Sequence, residues 1–150
     1  MKQIVTTLYT FDELPQDAKQ KALNENYQIN TEYPNEWYQY YIDELDDIGF
    51  EVIELELWQN KLAIHPKIEL RDIAFRIIKY FEPKGRLYTI AKMKIENDND
   101  EFFDDFIDRI SDEYLRLMNE EMEYLESDEA IIETFRANDY HFDLNGKIQG

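Results

Sequence analysis

At 150 residues, with 43% hydrophobic and 15% aromatic side chains, the chain is long enough for one core and too apolar to be disordered. It has no cysteine, which excludes disulfides, thiolate metal sites and cysteine nucleophiles and suits a reducing cytoplasm. Its 34 acidic and 16 basic residues give a net charge of −18, which disfavours nucleic acid and anionic membranes as partners and favours basic surfaces.

The start, MKQIVTTLYTF, has one lysine, a short apolar run and no small-residue cleavage pattern, so no secretory leader is expected. β-branched residues predict a first strand over 2–9, with Thr10 as a cap for the FDEL segment. Leu14, Ala18, Ala22 and Leu23 share one face, which predicts a helix at about 13–28 with Pro15 in its first turn. A second helix follows Pro34 and runs to Ile48, carrying Trp37, Tyr38 and Tyr41 on an aromatic face and closing at Gly49 in a left-handed cap. FEVIELELW at 50–58 alternates with one phase slip, the mark of a strand with a bulge, and 61–65 stays extended as far as Pro66.

Ile73, Ile77 and Phe81 predict a third helix over 70–81, basic on its outer side. RLYTIAKMKIE alternates Leu87, Thr89, Ala91, Met93 and Ile95, which predicts a strand over 86–95. Phe103, Phe106, Ile107, Ile110, Tyr114, Leu117, Met118 and Leu125 then share a broad face, hence a long helix at about 99–126. Ser127 offers an N-cap for a helix ending near Asn138, and Asn145-Gly146 predicts a closing hairpin with a type I′ turn. Together these elements predict a single α+β domain over 1–150, a mainly antiparallel sheet packed with helices. No apolar stretch approaches the roughly 20 residues that span a bilayer.

Charge is unevenly spread: residues 1–58 hold 3 basic and 13 acidic side chains, 59–95 hold 9 and 3, and 96–150 hold 4 and 18. The long helix is the sharpest case, with Arg109 and Arg116 as its only basic residues. Glu101, Asp104, Asp105, Asp108 and Asp112 lie on one side of it, Glu123 and Glu126 return to that side, and Glu120 adds to the charge. Like charges at this spacing repel by a few tenths of a kcal/mol per i,i+4 pair, so the pattern costs helix stability. Residues 100–126 span roughly 40 Å as a helix, comparable with about a dozen base-pair steps of duplex DNA. Such a rod fits a groove built for phosphates; the plainer reading is a solvated face that maintains solubility. Asp43, Glu44, Asp46 and Asp47 form a second acidic cluster.

Other chemistry is sparse. Glu121 falls on the apolar face of the long helix and is expected to pair with a base from 59–95. ENDNDE at 96–101 lacks the glycine of a calcium loop, His65 and His141 are too few for a zinc site, and neither Ser111 nor Ser127 has an evident base partner. Four scattered glycines make no phosphate loop. No metal, cofactor or catalytic residue is expected. The basic middle, with Tyr80, Phe81 and Tyr88, is expected to neutralise its acidic flanks and not to bind nucleic acid.

Two segments, YTFDELPQDAKQKAL at 9–23 and YLESDEAIIETFRANDYHFDLNGKI at 124–148, resemble a family of small, mostly uncharacterised bacteriophage and prophage proteins. The matching residues are Phe11, Asp12, Glu13, Leu14, Ala18, Lys19 and Ala22, then Ser127, Asp128, Glu129, Ala130, Ile131, Glu133, Asn138, Tyr140, Phe142 and Gly146, in the same order at both ends. Where the family often has a glycine-rich centre of the type Phe-Trp-Ser-Gln-Gly-Asp-Gly, this chain has LWQNKLAIHP at 57–66, keeping Trp58-Gln59 and no glycine. The resemblance implies a phage origin and no particular reaction.

The functional expectation is an acidic, non-enzymatic DNA mimic in the host cytoplasm that blocks a basic nuclease, restriction enzyme or CRISPR effector by stoichiometric binding. Its surface would comprise Glu101, Asp104, Asp105, Asp108, Asp112, Glu120, Glu123 and Glu126, with Asp43, Glu44, Asp46 and Asp47. The alternative is an assembly module, homodimeric through Trp37, Tyr38 and Tyr41, whose acidity serves solubility alone.

Overall fold

The computed structural model describes residues 7–32, 37–97 and 103–149, excluding the side chains of 103 and 104. In chain order these form a 3-10 turn at Phe11–Glu13, helices α1 (Gln16–Glu25) and α2 (Gln39–Ile48), strand β1 (Phe50–Glu56), a second 3-10 turn at Leu57–Gln59, and strand β2 (Lys61–Pro66). Helices α3 (Leu70–Tyr80), α4 (Arg86–Glu96), α5 (Phe103–Leu125) and α6 (Asp128–Ala137) follow, then strands β3 (His141–Phe142) and β4 (Ile148–Gln149). The fold is α+β, mostly helical, and its described strands pair antiparallel as two two-stranded sheets, β1–β2 and β3–β4. Contacts divide the chain into a central unit, Asn35–Glu121, and a terminal unit made of Met1–Pro34 and Met122–Gly150.

In the central unit, Gly49 ends α2 at φ +118°, and its N–H reaches the Leu45 and Asp46 carbonyls, each at 3.1 Å. A Cβ there would also press on Ile68, so the expected glycine cap is both conformational and steric. The β1–β2 register shifts between Val52 and Glu54, which places the bulge at the phase slip read from the sequence. α3 buries Leu70, Ile73, Ala74 and Ile77 at helical spacing. These residues join Leu45, Phe50, Phe106, Ile110, Tyr114 and Met118 in one core. Ser111 lies in that core and its hydroxyl donates to the Leu62 carbonyl at 2.6 Å, which accounts for a buried serine without any catalytic partner.

Residues 86–95 are helical, not the expected strand. The alternating set Leu87, Thr89, Ala91, Met93, Ile95 competes with a second pattern in the same residues, Leu87, Ile90, Ala91, Lys94, spaced three and four apart. The second pattern wins: Leu87, Ala91 and Lys94 are buried while Thr89 and Met93 face solvent. Arg, Leu, Ala, Lys and Met are also good helix formers, so local preference agrees with the burial.

In the terminal unit, Phe11, Leu14, Ala18, Ala22, Leu23, Ile131, Phe135 and Phe142 form a separate core. The Phe135 ring stands 5.5 Å from Phe11 and 5.0 Å from Phe142, tilted or edge-on as the ring quadrupoles favour. Ser127 caps α6 as expected, its hydroxyl accepting from the Ala130 N–H at 3.3 Å. Tyr9 bridges Phe142 through paired backbone hydrogen bonds of 2.9 and 2.7 Å. Most of the strand expected over 2–9 lies outside the described residues.

The closing hairpin forms, but its turn is not type I′, which needs positive φ at both central residues. Only Gly146 has it, at φ +84°. The Asp143 carboxylate instead organises the loop by accepting from the Asn145 and Lys147 N–H groups at 2.9 and 3.0 Å, an Asx-type arrangement. Gly146 also lies so close to the Ala18 carbonyl that a Cβ would stand 2.2 Å from its oxygen.

Candidate partner-binding surface

α5 turns the side carrying Phe106, Ile110, Tyr114 and Met118 into the central core. Its opposite side should therefore present the carboxylates. Near the N-terminal end it does: Asp105, Asp108 and Asp112 are exposed on successive turns. Arg109 lies among them and its Nε donates to Asp105 at 2.9 Å, while Asp108 and Asp112 have no ion-pair partner among the described residues. The side chains of Glu101 and Asp104 lie outside the described residues.

Farther along, the acidic side is interrupted. Leu115, on that side of the wheel, is buried, and Asn119 donates to the Asn60 side chain at 3.1 Å, so this stretch packs on the neighbouring strand and turn. Glu113, not singled out by its position in the sequence, is only 8% exposed. Arg116 holds it through both carboxylate oxygens and also donates to Glu120 at 2.6 Å, which pushes the guanidinium pKa up. Glu120 is exposed but committed to this bridge. Glu121 is half-buried, shows no ion pair with residues 59–95 among the described residues, and adds to burial in raising the Tyr41 phenol. Glu123 is exposed and Glu126 accepts from the Thr31 hydroxyl at 3.2 Å; both belong to the terminal unit.

The second acidic cluster is largely engaged inside the central unit. Glu44 accepts from the Tyr114 hydroxyl at 2.7 Å. Burial first, and this hydrogen bond second, push the Tyr114 phenol far above its ordinary range. The hydrogen bond to Glu44 likewise raises Tyr40. Asp46 pairs with Lys67, Asp43 accepts from the Gln39 amide at 2.9 Å, and Asp47 is exposed while its carbonyl accepts from Arg76 at 3.1 Å.

Trp37, Tyr38 and Tyr41 are half-buried and pack against the central core, so the aromatic side of α2 serves the interior more than an interface. The ring that α2 does expose is Tyr40, at 66%. Tyr40 and Tyr41 line a cleft of about 390 Å³ with Glu44, Arg86, Tyr88 and Glu113. That cleft holds aromatic walls and ion pairs, and none of its lining residues is a serine, cysteine, histidine or lysine.

His65 and His141 are exposed on separate strands, and no group of three metal-ligating side chains occurs among the described residues. Of the ENDNDE segment, Asn97 caps α4 by donating to the Met93 carbonyl at 2.9 Å, and residues 98–101 lie outside the described residues. Among the described residues no helix is long and apolar enough to cross a membrane.

Comparison with known proteins finds no matching family model, no similar curated protein and no similar solved structure. The two segments at 9–23 and 124–148 meet in the terminal unit, where Phe11, Leu14, Ala18, Ala22, Ile131 and Phe142 are core residues. The exposed row of α5 lies outside both segments.

Proposed function

We propose that this protein is a phage-encoded acidic inhibitor that occupies the DNA-binding channel of a basic host defence protein, such as a nuclease, restriction enzyme or CRISPR effector, by stoichiometric binding in the host cytoplasm. The observation that carries this reading is the row Asp105, Asp108, Asp112: carboxylates exposed on successive turns of a helix whose other side is fixed in the core. A core-anchored helix presents these charges on a backbone that is already ordered, which lowers the ordering cost of binding to that of the side chains. Glu123 and the exposed acids of α2 add to the negative field that steers encounter with a basic surface. The interruption at Leu115 and Asn119 narrows the contact surface to the N-terminal turns of α5.

The test is competition with duplex DNA for a candidate basic nuclease. Replacing Asp105, Asp108 and Asp112 together by Asn should abolish competition at low salt while leaving the circular dichroism spectrum unchanged. Unaltered inhibition by that triple variant would rule out mimicry by α5. The parent's inhibition should also weaken steeply as salt rises, as phosphate-like contacts do.

A further inference from the structure

We propose that the cleft between α2, α4 and α5 is a binding site for a small quaternary ammonium compound. Its volume of about 390 Å³ lies within the range of about 300–1,000 Å³ usual for small-molecule sites. The Tyr40 and Tyr41 rings form one corner of it, their centroids 5.4 Å apart and their planes at 83°. Phe81 and Tyr88, both half-buried, line it as well. A methylated ammonium is attracted to ring faces within about 6 Å of their centroids. Phe11, Phe75 and Tyr80 each have a lysine or arginine of this chain over the ring, but among the described residues none lies over Tyr40, Tyr41, Phe81 or Tyr88.

The charge of the cleft decides the sign of its ligand. Glu44, half-buried in the wall, accepts from the Tyr114 hydroxyl at 2.7 Å, a neutral donor that leaves the charge of the carboxylate in place. Glu44 has no ion-pair partner among the described residues. Two arginines also line the cleft, and carboxylates answer both. Arg116 is bridged to Glu113 and Glu120, and the Arg86 side chain, 67% exposed, stands 3.9 Å from Glu113. Counting Glu44 and Glu82, four carboxylates meet two guanidinium groups, so the cleft is negative within a chain of net charge −18. The Tyr41 phenol reports the same sign: burial first, then Glu121 and Glu44, push its pKa up. Such a field draws in cations and repels phosphates and carboxylates. A primary ammonium would need several acceptors to replace its hydration, which aromatic walls do not supply; a methylated head has no N–H to satisfy.

The inference does not rest on the proposed function, and the pure, whole chain tests it with choline as the probe. Nitrogen–proton correlation NMR at low salt should show saturable shifts at Tyr40, Tyr41 and Tyr88, with a Kd of about 1 mM or tighter. The neutral alcohol in which carbon replaces the choline nitrogen should bind at least about tenfold more weakly. Glu44→Gln, which keeps an acceptor for the Tyr114 hydroxyl, and Tyr40→Leu, at a ring 66% exposed, should each weaken choline binding severalfold. Arg86→Gln removes the opposing charge and should tighten choline binding by about threefold or more, a gain that misfolding cannot produce. Absence of saturable shifts up to about 10 mM choline overturns the proposal. Equal affinity for the alcohol, unchanged affinity in both Glu44→Gln and Tyr40→Leu, or weaker choline binding by Arg86→Gln overturns it too. If inorganic phosphate shifts the same residues in place of choline, and Arg86→Gln removes that response, the cleft is an anion site and the proposal falls.

Discussion

Two acidic stretches, Asp43–Asp47 on α2 and Asp105–Asp112 on α5, look alike as sequence and differ as structure. On α2 the carboxylates mostly have partners: Tyr114 for Glu44, Lys67 for Asp46, Gln39 for Asp43. On α5, of Asp105, Asp108 and Asp112, only Asp105 has an ion-pair partner among the described residues. Density of charge therefore does not separate an acidic row exposed to solvent from one engaged by the fold. What separates them is whether the fold supplies partners, and that depends on elements distant in sequence.

The largest test of this contrast lies at Tyr114, a fully buried ring whose hydroxyl ties α5 to α2. Tyr114→Ala removes the ring from the core and strands the Glu44 carboxylate, and should cost about 3–5 kcal/mol in denaturant unfolding. Tyr114→Phe keeps the ring and should cost about 1–2 kcal/mol. If both cost the same, the hydroxyl–carboxylate contact is the dominant element, and the α2 acids matter more than packing.

The pH dependence follows from the same residue. The folded-state pKa of Tyr114 is raised above the ordinary 10.0, with burial the main cause. Both states hold the proton below that value, so this contribution is fully present there. Above it the unfolded chain ionises first, and stability falls as pH rises. Tyr41 acts in the same sense. Chemical denaturation between pH 8 and 11 should show stability declining only above about pH 10. The decline should be shallower in Tyr114→Phe.

Much of this architecture is legible in the sequence where one residue has one physical role. Gly49, Ser127 and the phase slip at 52–54 each name a local geometry, and each is found as expected. Residues 86–95 misled because period two and period 3.6 both fit the same apolar positions, and only the buried partners decide. The surface was partly legible. A helical wheel gathers acids from seven turns onto one side but hides where along the axis that side is covered. Leu115, apolar on the acidic side, was the available sign of a second buried contact. Glu113 carried no sign, since its burial depends on Arg116 and on the cleft formed with α2 and α4.

The smallest expected effects are the most direct comparison of the two stretches. Asp46→Ala breaks an exposed pair with Lys67 and should destabilise by about 0–1 kcal/mol, as surface salt bridges do. Asp108→Ala removes a carboxylate with no described ion-pair partner, beside Asp105 and Asp112 at helical spacing, and adds a better helix former. Stability should then be unchanged or slightly raised, read as a midpoint shift at constant denaturant slope. The opposite order, with Asp108 the costlier loss, would mean that the α5 row has structural partners after all. The row would then be retained for folding, and the mimic reading would lose its basis.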